Sequence, residues 1–329
     1  MRARSVSALA GFLVLAVMTS QRQVLAQDSS IRPASGSAAL APEIEIKAAE
    51  LQASLKSATD AKDLRAQAAA LDAIGSLYYS HGNAAGALKA FEQVLSIVHK
   101  LGETTAEATA LSDVGAANFA LGRAEEALDA YKRALPVWRK LGNRDHEAAI
   151  LGDIGEVFRA LDDPEEALYF DKQALPVYQQ SGDHSGEAAV LNNIGLVYYA
   201  RHDKKKALAA FQQALEIYTS AANLSGEART LNNIGGTYNA FGEPRKALMQ
   251  FEQSIAIVRR LGDRESEATT LNNMGAAYSH LGDAQRALEL YREAVPAFQA
   301  TGDKKGIETA SKNIEQLNRD HRSRSSDRN

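Results

Sequence analysis

Glycine recurs at Gly75, Gly115, Gly155, Gly195, Gly235 and Gly275, each 40 residues from the last without a slip. Four residues before each stands Leu71, Leu111, Leu151, Leu191, Leu231 or Leu271. Twelve residues after each comes an Ala-Leu pair: Ala87-Leu88, Ala127-Leu128, Ala167-Leu168, Ala207-Leu208, Ala247-Leu248 and Ala287-Leu288. A unit this short cannot bury its apolar face alone. Copies in fixed register bury it against one another, so the period predicts a solenoid. The 329 residues, long enough for two ordinary domains, hold full units at 62–101, 102–141, 142–181, 182–221, 222–261 and 262–301.

Each unit reads as two helices. In 191–200, Leu191, Ile194, Gly195, Tyr198 and Tyr199 fall on one helical face. After a short polar turn, Leu208, Phe211, Leu215 and Tyr218 repeat that spacing. The second helix usually stops at a glycine, as at Gly102, Gly142, Gly182, Gly262 and Gly302, where a left-handed residue is cheap. Asn143, Asp183, Asp263 and Asp303 follow and can cap the next helix. Glu107, Glu147, Glu187, Glu227 and Glu267 sit in its first turn, where the helix dipole favours a carboxylate. Pro136, Pro176 and Pro296 fall inside second helices and read as points of curvature. Asp171 stands where other copies have Phe91, Tyr131, Phe211, Phe251 and Tyr291, and the expectation is a one-residue rotation that buries Phe170 in its place.

The ends are different. Arg2 and Arg4 precede an apolar run from Ala8 to Met18, which as a helix spans about 16 Å, half of a hydrocarbon core. With Val24 and Ala26 placed for cleavage before Gln27, residues 1–26 read as a signal peptide, with an uncleaved anchor as the alternative. Cleavage removes Arg2, Arg4 and Arg22 and no acid, moving the net charge from −4 to −7. The expectation is an exported protein, periplasmic or secreted, with a bacterial envelope as its setting and no membrane span after cleavage. Residues 27–43 read as a flexible leader, 44–318 as the repeat array, and 319–329 as a disordered basic tail.

These residues resemble the tetratricopeptide repeat: Leu191, Ile194-Gly195, Tyr198, Ala207 and Phe211 match its pattern, and the other copies follow. The 40-residue length and the run LNNIG…ALP…GD…EA are most similar to bacterial repeats that often precede a CHAT protease domain. They are also similar to the repeats of kinesin light chains and leucine-glycine-asparagine scaffolds. The resemblance implies an all-α, right-handed superhelical solenoid of six full repeats, with residues 44–60 and 303–318 as half-repeat caps. Such capped ends argue for a monomer.

Chemistry is sparse. With no Cys there is no disulfide, Cys-ligated zinc or Cys nucleophile. There is no HExxH, GxSxG or phosphate loop, and the seven His are scattered. The expectation is no enzyme, no cofactor and no metal. With 37 Lys+Arg against 41 Asp+Glu, nucleic acid is not an expected partner.

The resemblance places partner contacts at fixed offsets around the glycine, on first helices that line the concave surface. Three before it are Asp72, Ser112, Gly152, Asn192, Asn232 and Asn272. Two before are Ala73, Asp113, Asp153, Asn193, Asn233 and Asn273. Four after are Tyr79, Phe119, Arg159, Tyr199, Asn239 and Ser279. The N-terminal half of this groove is thus aromatic and acidic, the C-terminal half rich in Asn. An amide both donates and accepts, which suits a peptide main chain. Two readings of the Asn positions stay open, partner contact and ties between neighbouring helices; the aromatic positions are equally open to packing or anchoring. The leading expectation is a scaffold binding a peptide or protein segment. The alternative is a regulatory subunit of a separately encoded enzyme, such as a CHAT-type protease.

Overall fold

The computed structural model describes residues 42–326, with the side chains of 44–319. The expected signal peptide and all but the last two residues of the leader lie outside the described residues. Among the described residues there are fourteen helices and no strand. They divide into two compact units, with the boundary after Gly186 in the first turn of the eighth helix.

In the first unit, α1 (Pro42–Asp60) packs on α2 (Leu64–Ser80). α2 pairs with α3 (Ala84–Leu101), α4 (Thr104–Ala120) with α5 (Ala124–Leu141), and α6 (Arg144–Ala160) with α7 (Pro164–Ser181). The second unit holds α8 (His184–Ala200), α9 (Lys204–Ser220), α10 (Leu224–Ala240), α11 (Pro244–Leu261), α12 (Arg264–His280), α13 (Ala284–Thr301) and α14 (Lys304–Ser326). Here α10 pairs with α11 and α12 with α13, while α14 packs on α13 and α12. First helices also touch, α4 with α6 and α10 with α12. Pro136, Pro176 and Pro296 lie inside α5, α7 and α13, all second helices as expected. The helix α14 continues through 319–326, a stretch expected to be disordered. Arg319, Arg322 and Arg324 there suit the negative end of the helix dipole.

The caps are local chemistry. Oδ1 of Asn143, Asp183, Asp263 and Asp303 accepts from the backbone N–H three residues on, at 2.9–3.1 Å. Gly102, Gly142, Gly182, Gly262 and Gly302 all have φ between 67° and 75°. Where the sequence offers no glycine, after α9, Ala222 is forced to φ 52°. A left-handed Ala costs about 1 kcal/mol that Gly escapes. Ala222→Gly is therefore expected to stabilise the protein by about that amount, read as a raised denaturation midpoint; a lowered midpoint would contradict the strain.

Between paired helices the repeat glycine admits an aromatic ring. A Cβ at Gly75, Gly115, Gly195, Gly235 or Gly275 would lie 2.5–2.7 Å from Cε1 of Phe91, Tyr131, Phe211, Phe251 or Tyr291. Those rings are buried, with Phe211 and Phe251 fully so. This close approach is why glycine holds the position.

Candidate binding face on the first helices

The first helices carry the residues at the expected offsets. Their apolar stripe faces inward at Leu191, Ile194 and Gly195, so the residues between turn toward the adjacent repeat or the surface.

In the second unit, the asparagines form a ladder. Asn233 Nδ2 donates to Asn192 Oδ1 at 3.1 Å, Asn273 to Asn232 at 3.1 Å, and Asn313 to Asn272 at 3.2 Å. Each rung runs from the residue two before one glycine position to the residue three before the previous one. The ladder thus fixes the register of consecutive first helices. Asn192 is 4% exposed and also accepts from the Thr230 hydroxyl at 3.4 Å. Asn193 is half-buried at the equivalent place on α8. Four residues after the glycine, Asn239 Oδ1 pairs with His280 Nδ1 at 2.8 Å, while Tyr199 is 38% exposed.

In the first unit the same offsets bring acids and phenols together. Tyr79 and Phe119 are half-buried. Burial raises the Tyr79 hydroxyl pKa, and Asp153, Glu156 and Asp113 raise it further, so α2, α4 and α6 contribute to one electrostatic cluster. Tyr131 on α5 reaches the same acids, and its hydroxyl donates to Asp153. Burial and the neighbouring Glu156 push Asp153 up to about 8, against the lowering effect of that hydrogen bond. Tyr131 had been legible only as a packing aromatic; that its hydroxyl reaches into the next repeat depends on the stacking of helix pairs.

Arg159 behaves differently from its counterparts. Its side chain is 16% exposed, and Nη1 donates to Asp171 Oδ2 at 2.9 Å. Asp171 is fully buried, and this corrects the expectation that Phe170 would take its place. One residue turns a helix by about 100°. Phe170 therefore stacks on Phe158, centroids 5.5 Å apart, with Tyr169 edge-on to it at 5.2 Å. Asp171 stays in the aromatic slot, with Oδ1 2.5 Å from where a Gly155 Cβ would be. Burial pushes Asp171 up to about 7, opposed by the charge and hydrogen bond of Arg159 and reinforced by Glu156. Arg159 is thus an internal counter-ion.

Other chemistry is scarce among the described residues. No group of three or more His, Asp and Glu is placed to hold a metal, and no helix is long and apolar enough to cross a membrane. His146, one of the scattered histidines, stacks on Trp138 at 4.1 Å, and burial lowers its pKa.

No curated protein matches this sequence. Among solved structures, BtubC (BKLC) from P. vanneervenii is 20% identical with a TM-score of 0.55, over 70% of this chain and 92% of that one. A signal-transduction ATPase with a tetratricopeptide repeat sensor from Pyrococcus horikoshii is 16% identical with a TM-score of 0.65, over 81% of this chain and 40% of that one. The Rap conjugation gene regulator of the plasmid pLS20, solved in complex with the Phr peptide, is 15% identical with a TM-score of 0.56, over 80% of this chain and 77% of that one. At these identities the likeness concerns the fold. The sequence itself matches the tetratricopeptide repeat at residues 67–102, 106–180, 171–220 and 226–300. With more than half of its length matched and its helices paired around the repeat glycines, the chain belongs to the tetratricopeptide repeat family.

Proposed function

We propose that this protein is an exported, non-enzymatic scaffold whose first-helix face binds an extended peptide or protein segment. The asparagine ladder is the observation that carries the reading. Each rung uses one amide oxygen and one amide N–H. An amide has two N–H donors and an oxygen with two lone pairs, so donor and acceptor capacity remains at one-repeat intervals. A main chain lying across α8, α10 and α12 meets that capacity whatever its side chains are, and Tyr199 offers an exposed ring as an anchor. Tetratricopeptide repeat arrays are as a rule protein-interaction scaffolds without catalysis, and the Rap regulator shows the same fold holding a peptide.

A displayed random-peptide library panned on the full chain tests this. The comparison protein carries Tyr199→Ala and Asn239→Ala, which leave the ladder rungs intact. Enrichment that depends on those two side chains supports the reading; equal enrichment on both proteins moves the site off this face. Export predicts a mature N-terminus at Gln27, and N-terminal sequencing that finds the segment before Gln27 retained would contradict cleavage there.

A further inference from the structure

In the first unit, Asp113 on α4 and Asp153 and Glu156 on α6 act on the phenols of Tyr79 on α2 and Tyr131 on α5. Asp171 on α7 feels Glu156 as well. Four carboxylates are gathered here, and the cation acting on them, Arg159, is committed to Asp171. A second observation points to a missing positive partner. Asp171 is fully buried, yet its Oδ1 has no hydrogen-bond partner. A buried carboxylate oxygen without a donor is costly.

Resting on the peptide-binding reading above, we propose that the α2–α4–α6 face takes a basic segment, with a Lys or Arg side chain held by Asp113, Asp153 and Glu156 beside the Tyr79 and Tyr131 rings. The choice of occupant follows from charge complementarity. Carboxylates supply the counter-charge, and aromatic faces attract a cation that has shed part of its water. An acidic segment would add to the repulsion already present, and an uncharged one would leave it unrelieved.

This occupancy has a thermodynamic signature. In the free protein Asp153 titrates at about 8 and Asp171 at about 7, both raised first by burial and then by Glu156. Arg159 pulls Asp171 back down, and the Tyr131 hydroxyl does the same for Asp153. A bound cation stabilises the ionised carboxylates, so binding must release protons at neutral pH and strengthen as pH rises toward 9.

The test is a fluorescence anisotropy titration of the full chain with three labelled peptides of Gly and Ser, carrying three Arg, three Glu or three Gln. The Arg peptide is expected to bind at least about tenfold tighter at pH 9 than at pH 6, since a group titrating near 8 must give up its proton. Calorimetry in two buffers of different ionisation enthalpy should show the proton released. Asp153→Asn imitates the protonated side chain and should retain the helical circular dichroism of the parent. It should remove most of the pH dependence and weaken binding at pH 9 about tenfold. Equal binding of the Arg peptide at both pH values, or by both proteins, overturns the proposal, as does its failure to bind at all. Binding of the Gln or Glu peptide alone overturns it too, but leaves the broader reading standing.

Discussion

Arg159→Met is expected to cost little stability at pH 6 and up to about 3 kcal/mol at pH 9, because the loss is tied to the ionisation of Asp171. Met keeps an unbranched stem in the space and removes the charge. In the parent, burial raises Asp171 to about 7 despite Arg159. A carboxyl with a raised folded-state pKa weakens the fold as pH climbs from its unfolded value near 4, and the weakening levels off above its folded value. Without Arg159 both lowering influences vanish and the folded value moves higher. At pH 6 Asp171 is largely protonated in either protein, so they differ little. Above pH 7 the variant keeps losing about 1.4 kcal/mol per unit while the parent levels off. Chemical denaturation at pH 6, 7.5 and 9 reads this directly, and a pH-independent difference would mean that Arg159 acts by packing alone. Asp171→Phe restores the ring that the other copies carry opposite glycine. It should stabilise the protein by about 1–4 kcal/mol and flatten this part of the pH dependence.

Gly235→Leu and Gly236→Ala, adjacent in α10, are expected to act in opposite directions. A Cβ at Gly235 would stand 2.5 Å from Cε1 of the fully buried Phe251, which has no room to retreat. Overpacking by a whole isobutyl group should cost about 3 kcal/mol. At Gly236 no atom lies within 4 Å of the added carbon. There the substitution supplies a methyl and removes the backbone entropy of a helical glycine, a gain of about 1 kcal/mol. Thermal melts of the two single variants suffice. If both lower the midpoint by similar amounts, α10 does not present Gly235 to α11.

Much of this was legible along the chain. The 40-residue register, the caps at Asn143, Asp183, Asp263 and Asp303, and the glycine stops are local matters, and each was met in place. Comparison among the repeats also held information about packing that the period alone does not express. Tyr178, Tyr218 and Phe298 close on Gly186, Gly226 and Gly306, while in the second repeat Trp138 instead stacks on His146. The choice between buried Phe170 and buried Asp171 was misread. Sequence ranks side chains by hydrophobicity, but the helix phase had already assigned the slot, and an arginine one turn beyond Gly155 makes a carboxylate tolerable there.

What the sequence determined by itself was the set of short-range rules: which residues are helical, where each helix stops, and which face turns inward. These depend on spacing of 3.6 residues and on caps within three residues. Only the tertiary structure decided how the polar residues left on the first helices are used. Asn192 and Asn233 are 41 residues apart, Arg159 and Asp171 lie on different helices, and Tyr79, Asp113, Tyr131 and Asp153 come from four. Whether such a side chain is a strut, a counter-ion or part of a binding face depends on the neighbour that stacking brings beside it, which no local pattern specifies.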